Sequence, residues 1–109
     1  MKLLVIDSRS IKDFDLSKYI RSDTDIIITG GAKGIDTIAE RYADEHKISK
    51  IVLRPQCHLY KRGAPLKRNE KMVDIADEIL VIWDGVSKGS QYTIKYANKK
   101  NKNVMLIRV

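Results

Sequence analysis

A single cysteine in 109 residues leaves no partner for an internal disulfide. That usage fits a reducing compartment, so a cytoplasmic location is expected. No apolar run approaches the roughly 18 residues of a membrane span. The opening Met1-Lys2-Leu3-Leu4-Val5-Ile6-Asp7 has only four apolar residues before an aspartate, which reads as a strand and not as a signal peptide. Aromatic residues are scarce at 6%. Most of the tyrosines fall where they would pack on helices or strands, which gives little sign of a base-stacking platform. Tyr60 is the exception. No internal repeat, low-complexity segment or linker interrupts the chain. Acidic residues are the minority, 14 against 21 Lys and Arg, for a net charge of +7. That balance favours anionic partners.

What is present is enough for one folded unit. Hydrophobic residues make up 43% and charged residues 32%, which argues against global disorder. The length suits a single domain over residues 1–109. Five short apolar runs, Leu3–Ile6, Ile26–Ile28, Ile51–Leu53, Ile79–Trp83 and Val104–Ile107, do not alternate with polar residues. Strands buried on both faces of a parallel sheet read this way. Between them, Ile35, Ile38, Ala39, Tyr42 and Ala43 form one helical stripe. A second helix is expected over 65–76, with Pro65 in its first turn and Met72, Val73 and Ala76 inward. Weaker helical segments cover 15–21 and 91–100. Strand and helix alternation specifies a three-layer α/β/α fold with a five-stranded, mainly parallel sheet. The expected strand order is 3-2-1-4-5.

Ligands of such sheets bind outside the carboxyl ends of the strands. The loops following the first four strands collect the glycines, hydroxyls and cations, while Arg21–Thr24 and Lys47–Lys50 at the other end have no glycine. Thr29-Gly30-Gly31-Ala32-Lys33-Gly34-Ile35-Asp36 joins a strand to a helix. Glycines permit close backbone approach, and the helix N-terminus offers N–H donors to phosphate. It is neither a Walker A loop nor G-x-G-x-x-G. Asp36 suits a ribose hydroxyl or simply the helix start. Asp84-Gly85-Val86-Ser87-Lys88-Gly89-Ser90 has the same character, with Ser87 a candidate N-cap. After the third strand comes a long basic stretch with Lys61 and Arg62. With Arg68 and Asn69 on the next helix, these could clamp phosphate or a base edge. Lys99, Lys100 and Lys102 read as a solvated helix end. Cys57 and His58 have no third partner in sight, so neither a metal site nor a catalytic pair is expected.

These residues together resemble the SLOG superfamily, the Rossmann-like group that includes the DNA-processing protein DprA and the Lonely Guy phosphoribohydrolases. The closest likeness is to its small stand-alone bacterial members. It rests on Ser8-Arg9, on Gly30-Gly31-Ala32-Lys33-Gly34-Ile35-Asp36 with Ala39, on Arg68-Asn69, and on Ala76-Asp77 leading into Trp83-Asp84-Gly85-x-Ser87-x-Gly89-Ser90. The resemblance implies a nucleotide-type ligand at Ser8, Arg9, Gly30, Gly31, Ala32, Lys33, Gly34, Asp36, Arg68, Asn69, Asp84, Gly85, Ser87, Lys88, Gly89 and Ser90. Relatives carry a glycine before the first-loop serine where this chain has Asp7. The phosphoribohydrolase motif glutamate has no match after Ser90. The leading expectation is therefore a binding or sensing module for a nucleotide or nucleotide-sugar, such as ADP-ribose or an NAD derivative, with no cofactor and no catalytic residue. An N-glycosidic enzyme acting on nucleoside monophosphates, and a single-stranded DNA binder of the DprA type, are the alternatives. Weak nucleic-acid binding is expected from the charge, and a homodimer from analogy with relatives that pair through helices.

Overall fold

A computed structural model describes residues 1–7, 14–30, 35–53 and 64–109. Its elements are β1 (Lys2–Asp7), a short 3₁₀ turn (Leu16–Lys18), β2 (Ile26–Thr29), α1 (Ile35–Glu45), β3 (Ser49–Val52), α2 (Ala64–Ile75), β4 (Glu78–Trp83), α3 (Lys88–Lys99) and β5 (Asn103–Arg108). The strands form one sheet in the order β3-β2-β1-β4-β5, and every pair is parallel. This is the order expected from the alternation of elements.

Successive side chains of a strand point to opposite faces, and here each face meets its own helical layer. Leu3, Val5, Ile27, Leu80 and Ile82 share one cluster with Leu16 of the 3₁₀ turn and with Ala39 and Ala43 of α1. Leu4, Ile6, Ile28, Ile79 and Val81 share the other with Met72 and Val73 of α2, Ala76 just beyond it, and Ala97 of α3. The small residues on the buried stripes of α1 and α3 let those helices lie close to the sheet. The result is a Rossmann-like α/β layering.

Two expectations need correction. The helix expected over 15–21 is a 3₁₀ turn of three residues. Asp15 accepts hydrogen bonds from the Ser17 backbone N–H and hydroxyl, and Leu16 is the turn's one buried side chain. That local side-chain bonding competes with helix propagation. Nor are all five strands buried on both faces. β1, β2 and β4 are, but Ser49 and Lys50 of β3, and Met105 and Leu106 of β5, are exposed because these two strands form the sheet edges.

Asp77, part of the family-like pattern, works at the amino end of the sheet. Its carboxylate accepts from the Lys2 N–H at 2.8 Å and its own N–H donates to the Lys2 carbonyl, so it locks β4 to β1 in register. No helix of the described residues is long and apolar enough to cross a membrane.

Candidate functional site at the carboxyl ends of the strands

Because all strands run the same way, the ends of β2, β3, β4 and β5 emerge together. Gly30 follows β2 and Gly85 follows β4, two strands apart in the sheet, or roughly 10 Å at ordinary strand spacing. Ser8, Arg9, Gly31, Ala32, Lys33 and Gly34, with Cys57, His58, Tyr60, Lys61 and Arg62 of the basic stretch, lie outside the described residues. Asp36 is the second residue of α1.

Arg68, in the second turn of α2, reaches back over the strand ends. Its guanidinium donates to the carbonyl of Gly30 at 2.9 Å and to that of Leu53 at 3.3 Å, and its Nε donates to Asn69 Oδ1 at 2.8 Å. It thereby ties the ends of β2 and β3 to α2. Gly30 is what makes room. A Cβ there would stand 2.3 Å from a terminal nitrogen of Arg68 and 2.7 Å from its central carbon. The glycine serves an arginine, where the sequence suggests a direct approach by a ligand.

The same network continues into the other loop. Asn69 Nδ2 donates to Thr93 Oγ1 at 2.8 Å, and the Thr93 hydroxyl donates to the carbonyl of Gly89 at 2.9 Å in the first turn of α3. Thr93 is 1% exposed, so this relay runs where its hydrogen bonds compete little with water. Arg68 and Asn69 thus join the two glycine-bearing loops.

The loop between β4 and α3 carries its own anion. Asp84 Oδ1 accepts from the N–H groups of Val86 at 2.9 Å and Ser87 at 2.8 Å. Ser87 occupies the N-cap position but makes no capping hydrogen bond with its side chain. Trp83 Nε1 donates to the Ser87 carbonyl at 3.0 Å, pinning the loop from beneath. Gly85 has φ +88°, in the left-handed region where a side chain is strained. Lys88 is exposed, Gly89 has open space where a Cβ would stand, and Ser90 is buried.

Sequence reading missed Arg108. A Cβ at Gly85 would lie 2.7 Å from two nitrogens of its guanidinium, so Arg108 covers Gly85 as Arg68 covers Gly30. The signal was available: Arg108 pairs with Trp83 at the carboxyl end of β5, the same end as the inspected loops. Arg108 lies outside the glycine-bearing loops that follow the first four strands. Among the described residues, two further hollows lie elsewhere, toward the amino ends. One of about 350 Å³ is lined by Leu3, Tyr19, Leu80 and Met105, and one of about 570 Å³ by Thr24, Tyr42 and His46.

Residues 15–60 match the model of the YspA, cpYpsA-related SLOG family. The matched segment runs from the 3₁₀ turn through β2, α1 and β3. Arg68, Asn69 and the loop from Asp84 to Ser90 lie beyond it. No curated protein and no solved structure matches the chain. Taken with the parallel five-stranded sheet, the match over 15–60 supports SLOG superfamily membership.

Proposed function

We propose that the protein is a binding or sensing module for a nucleotide or nucleotide-sugar, such as ADP-ribose or an NAD derivative, held across the two loops at the carboxyl ends of β2 and β4. The SLOG match suggests a nucleotide-related role. One observation carries the reading furthest: both glycine-bearing loops emerge at the same end of the sheet, each covered by a guanidinium.

On this reading a phosphate seats at the first turn of α3, near Lys88, Gly89 and Ser90, where helix N–H groups and the dipole favour an anion. Asp84 already holds the Val86 and Ser87 N–H groups, so the charge partner comes from Arg108. Arg68 acts by fixing the strand ends. Ser8, Arg9 and the stretch from Gly31 to Gly34 complete the site from the sequence side, with Asp36 for a ribose hydroxyl. Asp84, one of three carboxylates at the carboxyl ends of the strands with Asp7 and Asp36, is employed in shaping the loop. Binding without turnover is the better description.

Native mass spectrometry of the purified protein, followed by calorimetric titration with ADP-ribose, NAD and AMP, tests this. The expected result is a nucleotide adduct or saturable binding that Arg108→Met weakens by about tenfold, the scale of one charge-assisted contact. Absence of both adduct and binding overturns the reading.

A further inference from the structure

The hydrogen bonds that join the two glycine-bearing loops have a direction. Arg68 Nε can only donate, so the side-chain oxygen of Asn69 must face it, at 2.8 Å. That leaves the Asn69 amide nitrogen to donate across to Thr93 Oγ1, also at 2.8 Å. The Thr93 oxygen accepts there, so its own proton goes elsewhere, to the Gly89 carbonyl at 2.9 Å. Each group has one role, and no reversed arrangement satisfies Arg68. The chain of bonds starts at the Gly30 and Leu53 carbonyls held by Arg68 and ends in the first turn of α3.

Two more bonds tie the same pair of helices. Tyr92 of α3 donates to Glu70 of α2 at 2.5 Å, and Tyr96 to Asp74 at 2.8 Å. Both lie at the surface, where water competes for the same groups. The Asn69–Thr93 bond is the sheltered one, because Thr93 is 1% exposed. A bond kept from water holds its geometry more firmly. Met72 and Val73 of α2 share one apolar cluster with Ala97 of α3, so the two helices form a single unit on the sheet.

That unit carries both halves of the candidate site. Through Arg68 it holds the ends of β2 and β3, and through its first turn α3 presents the loop that follows β4. The loops stand two strands apart, roughly 10 Å.

We propose that Asn69 and Thr93 are positioning residues that hold the two loops at one span, so that the site selects its ligand by length. The inference rests on the reading above, in which a nucleotide lies across both loops. A contact at the second loop counts fully only where that loop already stands at the right distance; otherwise part of it is lost in ordering the loop. An anion short enough to rest on α3 alone is indifferent to the span. The favoured class is therefore a nucleotide with a further sugar or phosphate group, long enough to reach from the first turn of α3 to Gly30.

Calorimetric titration with two probes tests this: ADP-ribose, which is long enough to bridge the loops, and inorganic pyrophosphate, which is not. Thr93→Val keeps the shape of the side chain and removes the hydroxyl. It should weaken ADP-ribose about tenfold and change pyrophosphate by less than about twofold. Thr93→Ser, which restores the hydroxyl, should recover ADP-ribose binding. Thr93→Ala leaves room for a water beside the Asn69 amide and should show the same split even if Thr93→Val does not fold. Loss of both probes equally, or of neither, overturns the inference while wild-type binding upholds the nucleotide reading. A wild type that holds pyrophosphate as tightly as ADP-ribose also overturns it. A wild type that binds neither probe overturns the nucleotide reading, and length selection with it.

Discussion

Replacing Gly30 with alanine isolates the contact that organises the candidate site. The backbone at Gly30 is not in the left-handed region, so a methyl group brings no conformational strain of its own. The whole cost arises from Arg68, whose terminal nitrogen would stand 2.3 Å from the new carbon. The guanidinium must move, and it holds the Gly30 carbonyl at 2.9 Å and the Leu53 carbonyl at 3.3 Å. Hydrogen bonds from a charged donor contribute about 1.5–3 kcal/mol each. The longer of the two sits near the geometric limit and counts for less. A loss of about 2–3 kcal/mol is expected, or a Tm lower by roughly 10 °C for a domain of this size. Differential scanning calorimetry measures it. Arg68→Met alone should cost a similar amount, because the same carbonyls lose the same donor. The double variant should be no worse than either single one, since alanine then meets no guanidinium. Additive losses in the double variant would refute the account, because Gly30 would then be needed for a reason unrelated to Arg68.

The other two described glycines make opposite predictions. Gly85→Ala should destabilise by about 1–2 kcal/mol from its positive φ, whereas Gly89→Ala, with open space and a helical position, should stabilise by about 0.5–1 kcal/mol; thermal melts read both signs. At high pH, Tyr96 governs part of the stability. Its hydroxyl donates to Asp74 at 2.8 Å, and that bond beside a carboxylate pushes its pKa from 10.0 up to about 12. The unfolded chain releases this proton first, so stability is whole below about pH 10 and drains as pH rises toward 12. Tyr96→Phe should flatten that segment of a pH-dependent denaturation series. Single-stranded DNA should bind weakly, with log affinity falling steeply against log salt by about 0.7 per phosphate neutralised. Nucleotide binding should have a shallow slope, and fluorescence titrations at several salt concentrations separate the two.

Much of the architecture was legible because apolar runs and helical stripes are direct consequences of burial. Leu3–Ile6 and Ile79–Trp83 read as central strands, and Ala39 with Ala43 as a sheet-facing stripe, because nothing polar could occupy those positions. Edge status was legible from the expected strand order and not from composition. Val104–Ile107 is as apolar as the central strands, and only the crossover order shows that β5 has one neighbour. The first crossover misled for a local reason: Asp15 bonding to Ser17 outweighs a weak helical pattern. At the candidate site, the placing of Gly30, Gly85, Arg68 and Asn69 at one end of the sheet was legible from the order of the strands. Their division of labour was hidden, because a glycine that admits a guanidinium looks in sequence like one that admits a phosphate.

The pairing of each glycine with an arginine constrains the order in which this chain can change. At position 30 the constraint is removable. Once Arg68 is replaced, a side chain at 30 meets no obstacle from it, so arginine must be lost before glycine. The reverse route passes through a clash. At position 85 no such route opens, because φ +88° penalises a side chain whether or not Arg108 remains. Two glycines that look equivalent in the sequence therefore differ in evolvability. One is held by its neighbour's guanidinium and the other by its own backbone.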